Sequence, residues 1–120
     1  MDKEKEIEKI RQEIENCREC DLWKTRDKLV IGEGSLDAKI IFVGEEPGYN
    51  EDMQGKPFVG KAGNILDELL KSGGLQRKEI YIANILKCRP PKNRNPREEE
   101  IKACSSYLDR QIEIPKFPES

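Results

Sequence analysis

Lys39-Ile-Ile-Phe-Val43, running straight into Gly44-Glu-Glu-Pro-Gly48, is the stretch whose reading decides the fold. Its first part is apolar and rich in β-branched residues, which predicts a short buried strand. Its second part holds two glycines and a proline, which end the strand in a turn. Toward the C-terminus, a loop is expected to about Lys61, then a helix over 62–71. That helix would turn Ala62, Ile65, Leu66, Leu69 and Leu70 inward and stop at Gly73. Glu79 to Leu86 reads as a second buried strand, and Lys87 to Asn95 as a basic, proline-broken loop. Asn95-Pro96-Arg97-Glu98 has the form of a helix start, with Asn as cap and Glu reaching back. Ile101, Cys104, Leu108 and Ile112 line one face of the helix that follows. Toward the N-terminus, residues 2–15 read as a charged helix with Ile7, Ile10 and Ile14 on one stripe, continued by Cys17. A link carrying Trp23 and a short strand at Leu29–Ile31 complete the reading. The order helix, strand, helix, strand, helix predicts an α/β sandwich with a parallel sheet.

The 120 residues suffice for one domain. Apolar residues make up 35% and charged residues 38%, so the surface is densely charged. No apolar run approaches the ~20 residues of a membrane span. Met1 to Lys9 is almost all charge and has no signal-peptide pattern. A soluble, cytoplasmic monomer with no membrane partner is expected. Net charge is −2, so affinity for nucleic acid requires a local basic patch. There is no histidine, which removes the commonest general base and metal ligand.

Four cysteines, Cys17, Cys20, Cys88 and Cys104, form a C-x2-C pair, a long gap and a C-x15-C pair. In an intracellular chain this argues for metal rather than disulfides. Zinc and a 4Fe–4S cluster both accept four thiolates, and spacing does not choose between them. Lys87, Arg89, Lys92, Arg94 and Arg97 form a basic run with no acid until Glu98. It is the best candidate for phosphate contacts, with a plain solvated loop as the rival reading.

Several stretches together resemble the family 4 uracil-DNA glycosylases, the iron–sulfur type. They are Cys17-Arg-Glu-Cys20, Gly32-Glu-Gly34, Val43-Gly-Glu-Glu-Pro-Gly48, Glu51-Asp52, Gly55-Lys-Pro-Phe-Val-Gly60, Ala62-Gly63, Tyr81-Ile-Ala-Asn84 and Lys87-Cys-Arg-Pro-Pro91. Asn93-Arg94, Asn95 through Glu100, Cys104, Tyr107 and Gln111 also fit, so the likeness covers about residues 15–112. It implies a three-layer α/β sandwich with a small parallel sheet, truncated here, over residues 1–112, with 113–120 as a divergent tail. The implied activity is hydrolysis of the N-glycosidic bond of uracil in DNA during base excision repair. The implied cofactor is a 4Fe–4S cluster on the four cysteines, with zinc as the alternative, and the implied partner is uracil-containing DNA.

By the same resemblance, Gly44, Glu45 and Glu46 contact uracil and position the attacking water. Phe58 is the stacking platform, and Asn84 reads the base edge. A carboxamide accepts from uracil N3–H and donates to its 4-carbonyl, a polarity that cytosine reverses. Glu45 and Glu46 are the candidate catalytic residues. Glu46 departs from the family, where this position is usually small. It can serve as general base or support a cationic sugar; the rival reading points it to solvent. The family domain is longer, with four parallel strands and a histidine motif in its last third. Here Pro115 and Pro118 oppose a further central strand. A 120-residue chain without that histidine is expected to be slow or inactive. A non-catalytic iron–sulfur module binding DNA or protein is the alternative function.

Overall fold

The structure, a computed structural model, describes residues 2–116; the last residues of the expected tail lie outside them. Helix α1, Lys3–Glu15, starts where the Asp2 carboxylate accepts from the Lys5 amide at 3.2 Å. Its stripe works as predicted: Ile10 and Ile14 are fully buried and Ile7 partly. A single 3-10 turn, Asp21–Lys24, buries Leu22. Strand β1 is Glu33–Gly34, β2 is Ile41–Gly44 and β3 is Tyr81–Asn84. Helix α2, Tyr49–Gln54, occupies part of the expected loop, and α3 spans Lys61–Ser72. Helix α4, Glu98–Glu113, runs into a last turn at Ile114–Lys116 whose Ile114 is buried against α1.

The sheet order is β1-β3-β2. β2 and β3 are parallel, with Ile41 opposite Tyr81 and Gly44 opposite Asn84. β1 is antiparallel to β3, with Glu33 opposite Ile82. The sheet is therefore mixed where a wholly parallel one was expected. The pairing at this edge also lies beyond Leu29–Ile31, which forms no strand. Val30 instead gives its amide to the Lys87 carbonyl at 2.7 Å.

Alternation along β3 divides the core into two layers. Tyr81 and Ala83 pack with Ala38, Leu108 and partly buried Ile7 and Ile112 on the side of α1 and α4. Ile80 and Ile82 pack with Leu66, Leu70, Phe42 and Phe58 on the side of α3. The three-layer architecture follows from these two faces.

Two helix readings need correction. In α3 the buried stripe is Gly63 and Leu66 with Leu70 partly buried, whereas Ile65 and Leu69 are 58% and 63% exposed and Ala62 is exposed too. Only the Leu66–Leu70 line of α3 reaches the sheet, where it packs on Phe42, Ile80 and Ile82, and among the described residues nothing pairs with the outer edge of β2. Ile40 and Val43 are also exposed. In α4 the helix begins at Glu98, not beside Asn95. Glu100, rather than Glu98, closes the start by accepting the Arg97 amide at 2.8 Å. Glu100 is already fixed there by two bonds from Arg94 at 2.8 and 2.7 Å. Ile101 is exposed, and Gln111 is buried on the helix face.

Candidate active site

The end of β2, the end of β3 and the loop before α3 meet at one point. Gly44 and Asn84 are partners across the parallel pair. A Cβ built on Gly44 would lie 2.5 Å from Asn84 Oδ1 and 2.5 Å from Phe58 Cζ. Three residues singled out in separate stretches of sequence therefore share one small space, and only a glycine at 44 leaves it open. The Phe58 ring stands edge-on to Phe42, with centroids 5.4 Å apart and planes at 86°. Asn84 is 2% exposed, so its carboxamide sits in a protected setting.

The Phe58 loop is held by partners that sequence reasoning left without a role. The Glu51 carboxylate accepts from the amides of Gly48, Val59 and Gly60 at 2.9, 2.9 and 2.8 Å. It thereby staples the turn after β2 to the loop that carries the ring. Phe58 itself has φ +52, a strained value for an aromatic residue. The Arg77 guanidinium donates to its carbonyl and, at 3.2 Å, to that of Gly63. A Cβ on Gly63 would meet the Phe58 carbonyl oxygen at 1.9 Å, so α3 starts with glycine contact against this loop. Buried Asp52 accepts from the Asp27 amide at 2.9 Å and ties α2 to the N-terminal link. An acid pair just after a glycine turn and just before a glycine-bounded loop was the available signal.

The Glu45 side chain is exposed, and its carbonyl accepts the Leu86 amide at 3.0 Å. Glu46 turns inward: its Oε2 is buried with no hydrogen-bond partner in the structure. Burial holds the Glu46 carboxyl above the usual range, the charge of Glu45 adds to this, and Arg94 opposes it. One carboxylate oxygen is thus turned in while the residue as a whole stays half-buried.

The basic run divides. Lys92 and Arg97 are exposed. Arg89 lies over the Tyr49 ring, 5.3 Å from its centroid. Arg94 is bound to Glu100, which keeps that carboxyl low through the hydrogen bond first and charge beside it. Lys87 must be withdrawn from the phosphate-contacting set. It is 0% exposed, and its ammonium donates to the Asn84 carbonyl at 2.6 Å. Burial pulls its pKa down to about 8, opposed by Cys104.

The cysteines gather without disulfides. Cys88 and Cys104 pack with Leu22 and Leu86, and Cys20 lies against them. Cys17 hydrogen-bonds Tyr107 and is close enough to Cys104 and Cys20 to act on both by charge. Arg26 Nη1 reaches Cys88 Sγ at 3.4 Å. Burial pushes the Cys20 and Cys104 thiols up, and that of Cys88 to about 11. Among the described residues no group of three or more cysteines or acids is placed to hold a metal ion. The donor chemistry nevertheless fits a four-thiolate group: sulfur alone, apolar walls, and N–H donors aimed at sulfur. Trp23, beside this region, lies under the Arg18 guanidinium at 4.0 Å.

A family model described as the uracil DNA glycosylase superfamily matches residues 31–119, which span the whole Gly44–Phe58–Asn84 convergence. The chain belongs to the uracil DNA glycosylase superfamily. Among curated proteins it is 54% identical over 109 residues to a type-4 uracil-DNA glycosylase of Sulfurisphaera tokodaii, covering 90% of this chain and 50% of that protein. It is 48% identical over 112 residues to the type-4 uracil-DNA glycosylase of Thermotoga maritima, covering 93% and 58%. A type-5 uracil-DNA glycosylase of Thermus thermophilus is 33% identical over 104 residues, covering 75% and 46%. The chain spans about half the length of the curated relatives it matches. Among the described residues no helix is long and apolar enough to cross a membrane.

Proposed function

We propose that this chain carries the base-recognising site of a uracil-DNA glycosylase acting in cytoplasmic base excision repair. The convergence of Gly44, Phe58 and Asn84 carries the reading. A flat base lies against the Phe58 ring, passes over Gly44 where no side chain intervenes, and presents its edge to the Asn84 carboxamide. Such a pocket receives a base taken out of the stack. Lys92 and Arg97, with Arg89, face the phosphates.

In the reaction, the bond between the sugar C1′ and the uracil N1 breaks, and its electron pair goes to the base. The sugar passes through a cationic state that water captures, and the water proton goes to a carboxylate. Glu46 is the group for that task. Its inward oxygen lacks a partner, and its raised pKa suits a proton acceptor. Cys17, Cys20, Cys88 and Cys104 would hold a 4Fe–4S cluster, which supplies a rigid cross-link between the N-terminal link, the β3 loop and α4. These 120 residues contain no histidine to receive charge from the departing base. On their own they bind far better than they turn over. That balance favours, as the second reading, a non-catalytic iron–sulfur module that binds DNA or protein.

The test is binding of a uracil-containing single strand against the same strand with cytosine, followed by a single-turnover assay. The expected result is preference for uracil, lowered by about 1–3 kcal/mol in Phe58→Ala through lost stacking. Asn84→Asp should narrow the gap between uracil and cytosine. Equal binding of both strands by the parent chain would overturn the pocket.

A further inference from the structure

A lysine with no exposed surface is rare, because an ammonium ion loses its hydration on burial and must find compensation. Lys87 is such a residue. It stands between Leu86 and Cys88, both of which belong to the packed cysteine cluster. Its three functional groups reach three different parts of the fold. The side-chain Nζ donates to the Asn84 carbonyl at 2.6 Å. The backbone amide hydrogen-bonds Cys104, and the carbonyl takes the Val30 amide at 2.7 Å.

The bond to Asn84 has a topological cause. β1 pairs with β3 only at Glu33–Ile82 and Gly34–Tyr81. Two residues further along that antiparallel register, position 31 would face Asn84, but β1 does not extend there. The Ile31 carbonyl is taken by Gln111 Nε2 at 2.8 Å instead. The Asn84 acceptor is thus left without a ladder partner, and the Lys87 ammonium fills the gap. One hydrogen bond to a neutral carbonyl satisfies geometry but does not balance a buried positive charge. The Cys104 sulfur accepts the Lys87 backbone amide, and as a metal-bound thiolate it would bring negative charge to this residue.

We propose that Lys87 is a positioning residue whose buried ammonium is the counter-charge to the four-cysteine site and at the same time locks the end of β3 that carries Asn84. Occupancy of the cysteine site and placement of the base-reading carboxamide are then linked through one side chain. The idea rests on the base-reading role proposed for Asn84 and on a thiolate-bound metal at the cysteines. It adds a residue that touches neither base nor phosphate.

The test uses the whole chain, the metal-free form and the form loaded with cobalt(II), whose thiolate charge-transfer band reports the cysteine site. Lys87→Met keeps the stem and removes the charge; Lys87→Arg keeps the charge. In Lys87→Met, cobalt held against a competing chelator should weaken by about tenfold or more, the usual effect of removing a group that supports metal ligands. Its metal-free melting temperature should fall modestly, because the buried Asn84 carbonyl loses its donor even as a desolvated charge is removed, whereas the cobalt-loaded form should fall further. Lys87→Arg should recover most of the cobalt affinity. Lys87→Met should also narrow the preference for uracil over cytosine strands. A purely structural lysine would lower both melting temperatures equally and leave cobalt affinity alone, and that result overturns the proposal. Should Lys87→Met not fold, cobalt affinity in Lys87→Arg below one-tenth of the parent's overturns the charge role. A parent chain that binds no cobalt overturns the cysteine site and the Lys87 role together. A parent that binds cobalt but prefers neither strand overturns the base-reading pocket while leaving the counter-charge role to the cobalt measurements.

Discussion

A Cβ atom on Gly44 would lie 2.5 Å from Oδ1 of Asn84. The two residues sit directly opposite each other at the ends of parallel strands, and the space between them exists because position 44 has no side chain. Gly44→Ala should therefore force the carboxamide and the Phe58 ring apart. The expected cost is about 1–3 kcal/mol of stability from overpacking, with loss of uracil preference. Urea unfolding and strand binding measured on the same preparation check both.

Glu51 accepts three backbone amides that arrive from two segments. Glu51→Gln removes the charge and one acceptor while keeping the shape. Loss of charge-assisted bonds should cost about 1.5–3 kcal/mol. Hydrogen exchange at Val59 and Gly60 should accelerate more than exchange in β3. Unchanged protection at both amides would show that the staple is not what holds the Phe58 loop.

Tyr81 is buried, and burial raises its phenol to about 12, with Gln111 partly opposing the shift. A pKa raised on folding gives stability that is complete below the unfolded value near 10 and disappears as pH rises through 12. The chain should lose roughly 2–3 kcal/mol across that window on this account. Tyr81→Phe should flatten the decline. Denaturant titrations at pH 9, 10.5 and 12 read the slope directly.

Anaerobic reconstitution with iron and sulfide should give a brown protein with about four irons per chain. Cys104→Ser should lose the colour, because Cys104 links α4 to the pocket of Cys20 and Cys88. Protein that stays colourless and carries one zinc would reassign the site. A metal held by these cysteines would tie three separate segments together, so chelating it should lower the melting temperature.

Ile65 and Leu69 are exposed, as is Ile40 just before the β2 strand, whose outer edge is unpaired among the described residues. Exposed apolar side chains and an open strand edge favour association. The double variant Ile65→Lys, Leu69→Lys should reduce concentration-dependent light scattering. Both side chains are already largely in water, so its melting temperature should change by only a few degrees.

Much of the core was legible because it depends on local period. Ile10 and Ile14 recur at helical spacing, and β2 and β3 announce themselves as apolar runs with turn residues after them. Leu66 was equally legible, but Ile65 and Leu69 were not. A helix's apolar arc shows which flank would bury if covered, and whether a neighbour covers it is a property of the sheet. The start of α4 was misplaced for a similar reason. Asn95-Pro96 is a sound local signal, yet Glu100, held by Arg94, set the boundary.

The sequence by itself determined the α/β class, the four thiols and the identities of the residues at the pocket, since these rest on composition, period and motif order. Only the tertiary structure decided which of them meet. It brought Gly44, Phe58 and Asn84 to one space, turned the Glu46 carboxylate inward, and removed Lys87 from the surface run to which its charge had assigned it. A lysine in a basic stretch has the same local pattern whether it faces phosphate or core. What separates the cases is the unfilled acceptor at the end of β3 and the sulfurs beside it, and those come from segments far apart in the chain.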